Sequence, residues 1–182
     1  MTPILLEPWP NWNQRYDWSP DPIRLPDTNR LNNCGPEVVA ETVKYLTGVE
    51  LPAVYIKDVM YSQDFQGYTD FSHLARFFAS ADMPAALTMT PDPWLALRII
   101  KAAAAHGHPT ISLFYETTNY GGAVEGEGGH FCATVGASDW SVTRSNPWIG
   151  RQEVMSHAQW WHWYNRRFGG VLEIKRRRFV GQ

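Results

Sequence analysis

The chain has 182 residues, 44% of them apolar and 25 of them aromatic, enough for one compact domain with a sizeable core, which excludes a fibre or a disordered tail. Sixteen Lys and Arg against eighteen Asp and Glu leave a formal charge of −2, so the balance demands no polyanionic partner and nucleic-acid binding is not expected. Two cysteines, Cys34 and Cys132, are too few for a disulfide scaffold. No secretory signal opens the chain, and no apolar stretch reaches the roughly 20 residues that span a bilayer, so the expectation is synthesis in a reducing cytoplasm and no transmembrane segment.

Residues 1–33 hold six of the thirteen prolines together with Trp9, Trp12, Tyr16 and Trp18. Proline fixes φ and removes a donor, so this stretch reads as an extended arm whose rings lie on the body of a single domain over 1–182. The first helix follows in GPEVVAETVKYL, with Pro36 at its first position, Val39, Val43 and Leu46 along one side, Glu37, Glu41 and Lys44 along the other, and Gly48 at its end. A second is predicted over 71–81, capped by Thr69, Asp70 or Ser72, and a third over DPWLALRIIKAAAAHG, with Asp92 as cap, Pro93 at the first position and Gly107 as stop.

From residue 109 the period changes. TISLFY (110–115), HFCATVGA (130–137), WSVTR (140–144) and VLEIK (171–175) read as strands, and SHAQWWHWYNRRF as a last helix with Ser156 and Gln159 forming its capping box. Helices first and strands later predict an α+β domain, with any active site where the two halves meet.

Cys34 stands directly before Gly35-Pro36, beside a helix N-terminus whose free N–H groups and dipole favour an anion. A thiol with a pKa near ~8.5 is mostly protonated at neutral pH; a helix end and a neighbouring imidazolium lower it, each unit being worth about 1.4 kcal/mol. The plainer reading is a small buried hydrophobe. Gly35, lacking a side chain, leaves room beside the sulfur for a substrate to approach.

His130 opens a strand after the Gly-rich run YGGAVEGEGG, which suggests a lid over a cleft. A hairpin turning at GASD places His130 opposite Ser145 or Asn146, where the Asn146 amide oxygen would hold one ring nitrogen and aim the other at a thiol. The plainer reading makes His130 a strand end and Asn146 a turn residue.

The stretch NNCGPEVVAETVKYLTG resembles the cysteine-helix segment of papain-like peptidases, particularly the bacteriocin-leader-processing family and its looser relatives. GGHFCATVGASDWSVTRSNPWIG resembles that group's Gly-His strand, hairpin and Asn-Pro-Trp loop. GYTDFSHLARFFASADMP and HGHPTISLFY are similar, in order, to its second helical piece and Gly-x-Pro strand. The resemblance covers most of residues 30–165, with a spacing of 96 residues from Cys34 to His130. It implies a papain-like fold in which the nucleophile helix packs on an antiparallel sheet from the C-terminal half.

By the same resemblance Cys34 is the nucleophile, His130 the base that becomes general acid, and Asn146 the orienter, where the leader-processing enzymes usually have Asp. Their oxyanion Gln, about six residues before the cysteine, is replaced by Thr28. Looser relatives carry a Gln-Arg step further upstream, and NWNQRYDW resembles it, so Gln14 is the first oxyanion candidate and Asn29 the second. One amide donor with the Cys34 N–H would contribute about 2.7–4 kcal/mol to the tetrahedral intermediate.

These residues point to a thiol peptidase needing no cofactor. Its resemblance to phage lysin and wall-hydrolase modules suggests peptidoglycan stem peptides as substrate and the bacterial cell wall as the place of action. A catalytically inactive binding or virion-structural domain is the alternative. Zinc at Cys132, His157 and His162 is disfavoured, because the two histidines are spaced for different helix faces. Trp160, Trp161, Trp163 and Tyr164 are expected to pack rather than stack on sugars, and Lys175 to Arg178 to form a solvated strand end.

Overall fold

The computed structural model describes residues 4–10, 12, 34–51, 53–61, 69–115 and 129–175. In chain order these form β1 (Ile4–Leu5), α1 (Cys34–Thr47), α2 (Ala53–Tyr61), α3 (Phe71–Ser80), β2 (Ala85–Met89), α4 (Pro93–Ala105), β3 (Thr110–Tyr115), β4 (Gly129–Ala137), β5 (Ser141–Asn146), β6 (Arg151–Ser156), α5 (His157–Trp163) and β7 (Gly170–Ile174).

The punctuation residues act as their chemistry requires. Gly48 and Gly107 take φ of 77° and 73° just past α1 and α4, a region open to glycine at little cost. The Asp70 carboxylate accepts from the His73 backbone N–H at 3.0 Å, and Asp92 does the same for Trp94 at 2.8 Å. Ser156 and Gln159 close the capping box of α5 through bonds of 3.2 and 2.8 Å.

The strands form one antiparallel sheet in the order β2-β7-β3-β4-β5-β6, with β1 added along the end of β4. Period-2 alternation divides its faces. Ile111, Leu113, Phe131, Ala133 and Val135 join Val38, Val39, Leu74 and Phe77 in one cluster under α1, α2 and α3. Phe114, Cys132, Val142 and Val171 join Leu97, Ile100, Trp160 and Tyr164 in a second cluster under α4 and α5. The sheet is therefore covered on both faces, and β2 interrupts the helices-then-strands order.

Four elements lack a clear signal in the sequence. β1, with only two residues, and β2, exposed along its whole length, owe their form to pairing with β4 and β7. β6 takes its form from β5, and α2 is held by Ile56 and Met60, buried four residues apart.

The acidic side of α1 is not a solvent face. Glu37 and Glu41 are both buried. Residues 9 and 12 lie across Glu41: the Trp9 indole N–H donates to Glu41 Oε2 at 3.1 Å and the Trp12 backbone N–H to Oε1 at 2.8 Å. From the sheet side Ser145 Oγ donates to the same carboxylate at 2.9 Å. Leu6 and Trp9 are buried in the first cluster, and the Gln152 amide donates to Glu7 at 3.0 Å.

Candidate active site

Cys34 is the first residue of α1 and retains 8% of its surface. Burial disfavours its thiolate, but the His130 ring, by hydrogen bond and by charge, together with the backbone N–H groups of Phe131 and Gly35, outweighs this and lowers the thiol below its ordinary pKa. On the histidine, burial works against the charged ring. The adjacent Cys132 and Cys34 sulfurs overcome it and hold the His130 pKa well above its ordinary value. The arrangement can therefore store a thiolate–imidazolium pair.

His130 Nε2 lies 2.9 Å from Asn146 Oδ1. An amide oxygen only accepts, so Nε2 carries the proton and Nδ1 remains for the thiols. The Asn146 oxygen also accepts from the Trp148 backbone N–H at 3.0 Å, while Nδ2 donates to Glu153 Oε2 at 2.8 Å. That carboxylate is held by Arg144 at 3.0 Å from Nε and 2.8 Å from Nη2.

Cys34, His130 and Asn146, far apart in the chain, thus meet at one end of β4 and β5. Gln14 and Asn29, the two oxyanion candidates, and residues 120–128 of the Gly-rich run suggested as a lid lie outside the described residues. So do Arg176 to Arg178.

Two sequence expectations need correction. The hairpin does not turn at GASD in the expected register: Ala133 pairs with Ser145 and Ala137 with Val142, across an irregularity between Thr134 and Gly136. Ser138 Oγ accepts from the N–H groups of Trp140 and Ser141 at 3.1 and 3.0 Å, which moves the turn toward the C-terminus. Gly35, in turn, does not open space for substrate. A Cβ there would stand 2.5 Å from Thr69 Cγ2 and 2.9 Å from Thr69 Cβ, so its glycine admits the Thr69 side chain against the start of α1.

Arg144, Glu153 and Glu41 were missed by reading the sequence. Arg144 and Asn146, two apart on β5, share a face, which is a usable signal. Their junction with Glu153 needed the β5–β6 pairing. Glu41 stands two helical turns after Cys34, and its carboxyl is pushed up to about 8, chiefly by burial. The aromatics at 160 and 164 pack as expected, Trp160 donating to the Pro93 carbonyl at 3.0 Å and Tyr164 to that of Thr90 at 2.9 Å.

No family model and no curated protein matches the sequence. Solved structures do. A C39-like peptidase from Bacillus anthracis superposes with a TM-score of 0.62 at 12% identity, covering 97% of this chain and 99% of that one. The peptidase domain of Streptococcus ComA, a bifunctional ABC transporter involved in a quorum-sensing pathway, superposes with a TM-score of 0.57 at 12% identity over 79% of this chain and 92% of that one. The fold is α+β and papain-like, as in these C39-like peptidases. Among the described residues no helix is long and apolar enough to cross a membrane.

Proposed function

We propose that the chain, acting as one domain over residues 1–182, is a cysteine peptidase that hydrolyses peptide or isopeptide bonds through an acyl-enzyme on Cys34. One observation carries the reading: the buried His130 ring is shared between the Cys34 sulfur, to which it is hydrogen-bonded, and the Asn146 oxygen at 2.9 Å; the ring lowers the thiol pKa, and the Cys132 sulfur, followed by that of Cys34, raises the pKa of the imidazole. A thiol lowered by a neighbouring imidazole at a helix N-terminus is the state a nucleophilic cysteine requires. The fold shared with C39-like peptidases supports the same reading.

In the proposed cycle the Cys34 thiolate attacks the scissile carbonyl carbon and the carbonyl π electrons move to oxygen. The Cys34 backbone N–H and an amide donor, assigned to Gln14, stabilise that oxyanion. The intermediate collapses as His130 gives its Nδ1 proton to the leaving amine, which leaves a thioester and a neutral ring. Water then attacks the thioester while the ring takes its proton; the carboxylic acid departs and the thiolate–imidazolium pair returns. Asn146 stays neutral and keeps the Nε2 proton in place.

Peptidoglycan stem peptide at the bacterial cell wall is the proposed substrate, on the likeness of the motifs to wall-hydrolase modules. Incubating isolated cell walls with the protein should release new amino termini, and Cys34→Ala should abolish the release. Release from leader-type peptides or casein alone would move the substrate class. Equal, slow alkylation of Cys34 and Cys132 would overturn the enzyme in favour of a binding or virion-structural domain.

A further inference from the structure

We infer that the Arg144–Glu153 ion pair is a positioning device that decides which way round the Asn146 amide sits, and through it which nitrogen of His130 carries the resting proton. The inference rests on the Cys34–His130–Asn146 reading and adds two residues to it.

The two ends of a primary amide are nearly the same size, so shape alone cannot hold one orientation. If the amide were reversed, Nδ2 would donate to His130 Nε2, the ring proton would move to Nδ1, and the neutral ring could no longer take a proton from the sulfur. The site would be filled and packed but unable to act as a base.

The hydrogen-bond partners of the amide oppose that reversal. Glu153 Oε2 stands 2.8 Å from Asn146 Nδ2, and an ionised carboxylate accepts only, so it rejects the amide oxygen. On the other side the Trp148 N–H, 3.0 Å from Oδ1, rejects the amide nitrogen. Arg144 holds Oε2 through two nitrogens at 3.0 and 2.8 Å, and its own guanidinium lies 4.8 Å from the centre of the Phe114 ring. Phe114 is the residue paired with His130 across β3 and β4, so both ends of the chain of contacts are anchored beside the imidazole. A carboxylate thus stands behind the orienting amide, one residue further from the histidine than an Asp at position 146 would place it.

A purely structural ion pair would affect stability without affecting the tautomer, and that separates the two roles. In the full chain labelled with 15N, the neutral His130 ring in a Cys34→Ala background should be a single Nε2–H tautomer. Adding Glu153→Gln, which offers a donor as well as an acceptor, should populate the Nδ1–H form. With Cys34 restored, Glu153→Gln should slow iodoacetamide alkylation of Cys34 about tenfold or more, as loss of an orienting outer partner does elsewhere, while Glu153→Asp should restore most of the rate.

The sign should reverse when position 146 carries a carboxylate. Asn146→Asp alone sets two carboxylates face to face, so combining it with Glu153→Gln should give faster alkylation than Asn146→Asp alone. This comparison also serves if Glu153→Gln folds poorly by itself. Two results overturn the inference while leaving the catalytic reading intact: an unchanged Nε2–H tautomer in Glu153→Gln, or effects of the two substitutions that simply add, with alkylation within about twofold of additivity. Slow alkylation of Cys34 in the unaltered protein overturns the catalytic reading itself.

Discussion

Asn146 reaches His130 at 2.9 Å although the two residues do not face each other across the hairpin. The register at the hairpin tip, Ala137 with Val142, would carry Asn146 level with Ala133, on the face under α1. The irregularity between Thr134 and Gly136 shifts the pairing by one residue, so Ser145 meets Ala133, and the same register continued by one step sets Asn146 level with Cys132. A shift of one exchanges the faces of a strand. That single residue puts the amide on the face of His130 and turns Ser145 toward Glu41 on α1.

The thiol should ionise early. Because the His130 ring and the Phe131 and Gly35 N–H groups lower its pKa, iodoacetamide should alkylate Cys34 at a rate that stays high well below the ordinary thiol range. Cys132, fully buried, should lag far behind. His130→Ala removes the largest of the lowering influences, so the apparent pKa of labelling should move up, as mass spectrometry of the Cys34 peptide against pH would register.

Hydrolysis should follow a bell in pH. The ascending limb tracks loss of the Cys34 proton and lies below the ordinary thiol value; the descending limb tracks loss of the His130 proton and lies above the ordinary imidazole value. A peptide-cleavage profile in which the descending limb falls at or under the ordinary histidine range would contradict the pairing.

Truncating the orienter should cost both stability and rate. Asn146→Ala leaves the His130 Nε2–H, the Trp148 N–H and Glu153 each short of a partner, at about 1–3 kcal/mol for each that water does not reach. Thermal unfolding should show the loss, and Cys34 alkylation in the folded fraction should slow because the ring is no longer held.

Glu41 should make stability fall as pH rises. Its folded pKa is raised from an ordinary 4.5 to about 8, so between those values the folded chain keeps a proton that the unfolded chain has lost. Stability present at low pH is then withdrawn through that window, at up to about 1.4 kcal/mol per pH unit. Glu41→Gln has no proton to lose. Urea midpoints compared at pH 5 and pH 8 should drop less for this variant than for the parent; equal drops would refute the assignment.

Gly35 should resist substitution on steric grounds. A Cβ 2.5 Å from Thr69 Cγ2 forces a displacement at the start of α1, and overpacking of this kind costs about 1–3 kcal/mol. Thr69→Ala removes the two nearest atoms and should return part of the loss, measured as the unfolding midpoint of the double variant against Gly35→Ala alone.

Local chemistry was readable from residue types. The ends of α1, α3, α4 and α5 are marked by Gly48, Asp70, Asp92 and Ser156, and strands β3, β4, β5 and β7 by period-2 apolar patterns, since each of these preferences acts within a few neighbours. Cys34 and His130 were legible as candidates through Cys-Gly-Pro and Gly-His. β1, β2 and β6 were not, because a short or exposed strand has little preference apart from the partner that completes its hydrogen bonds. Nor was the burial of Glu37 and Glu41, whose polar spacing on α1 looks like a solvent face; Glu41 is covered by residues 9 and 12, which lie far from it in the chain. Tertiary structure alone decided the register of the β4–β5 hairpin and the junction of Arg144, Glu153 and Asn146, because register depends on where a side chain such as Ser138 folds the turn and on one inserted residue, and neither leaves a periodic trace in the chain.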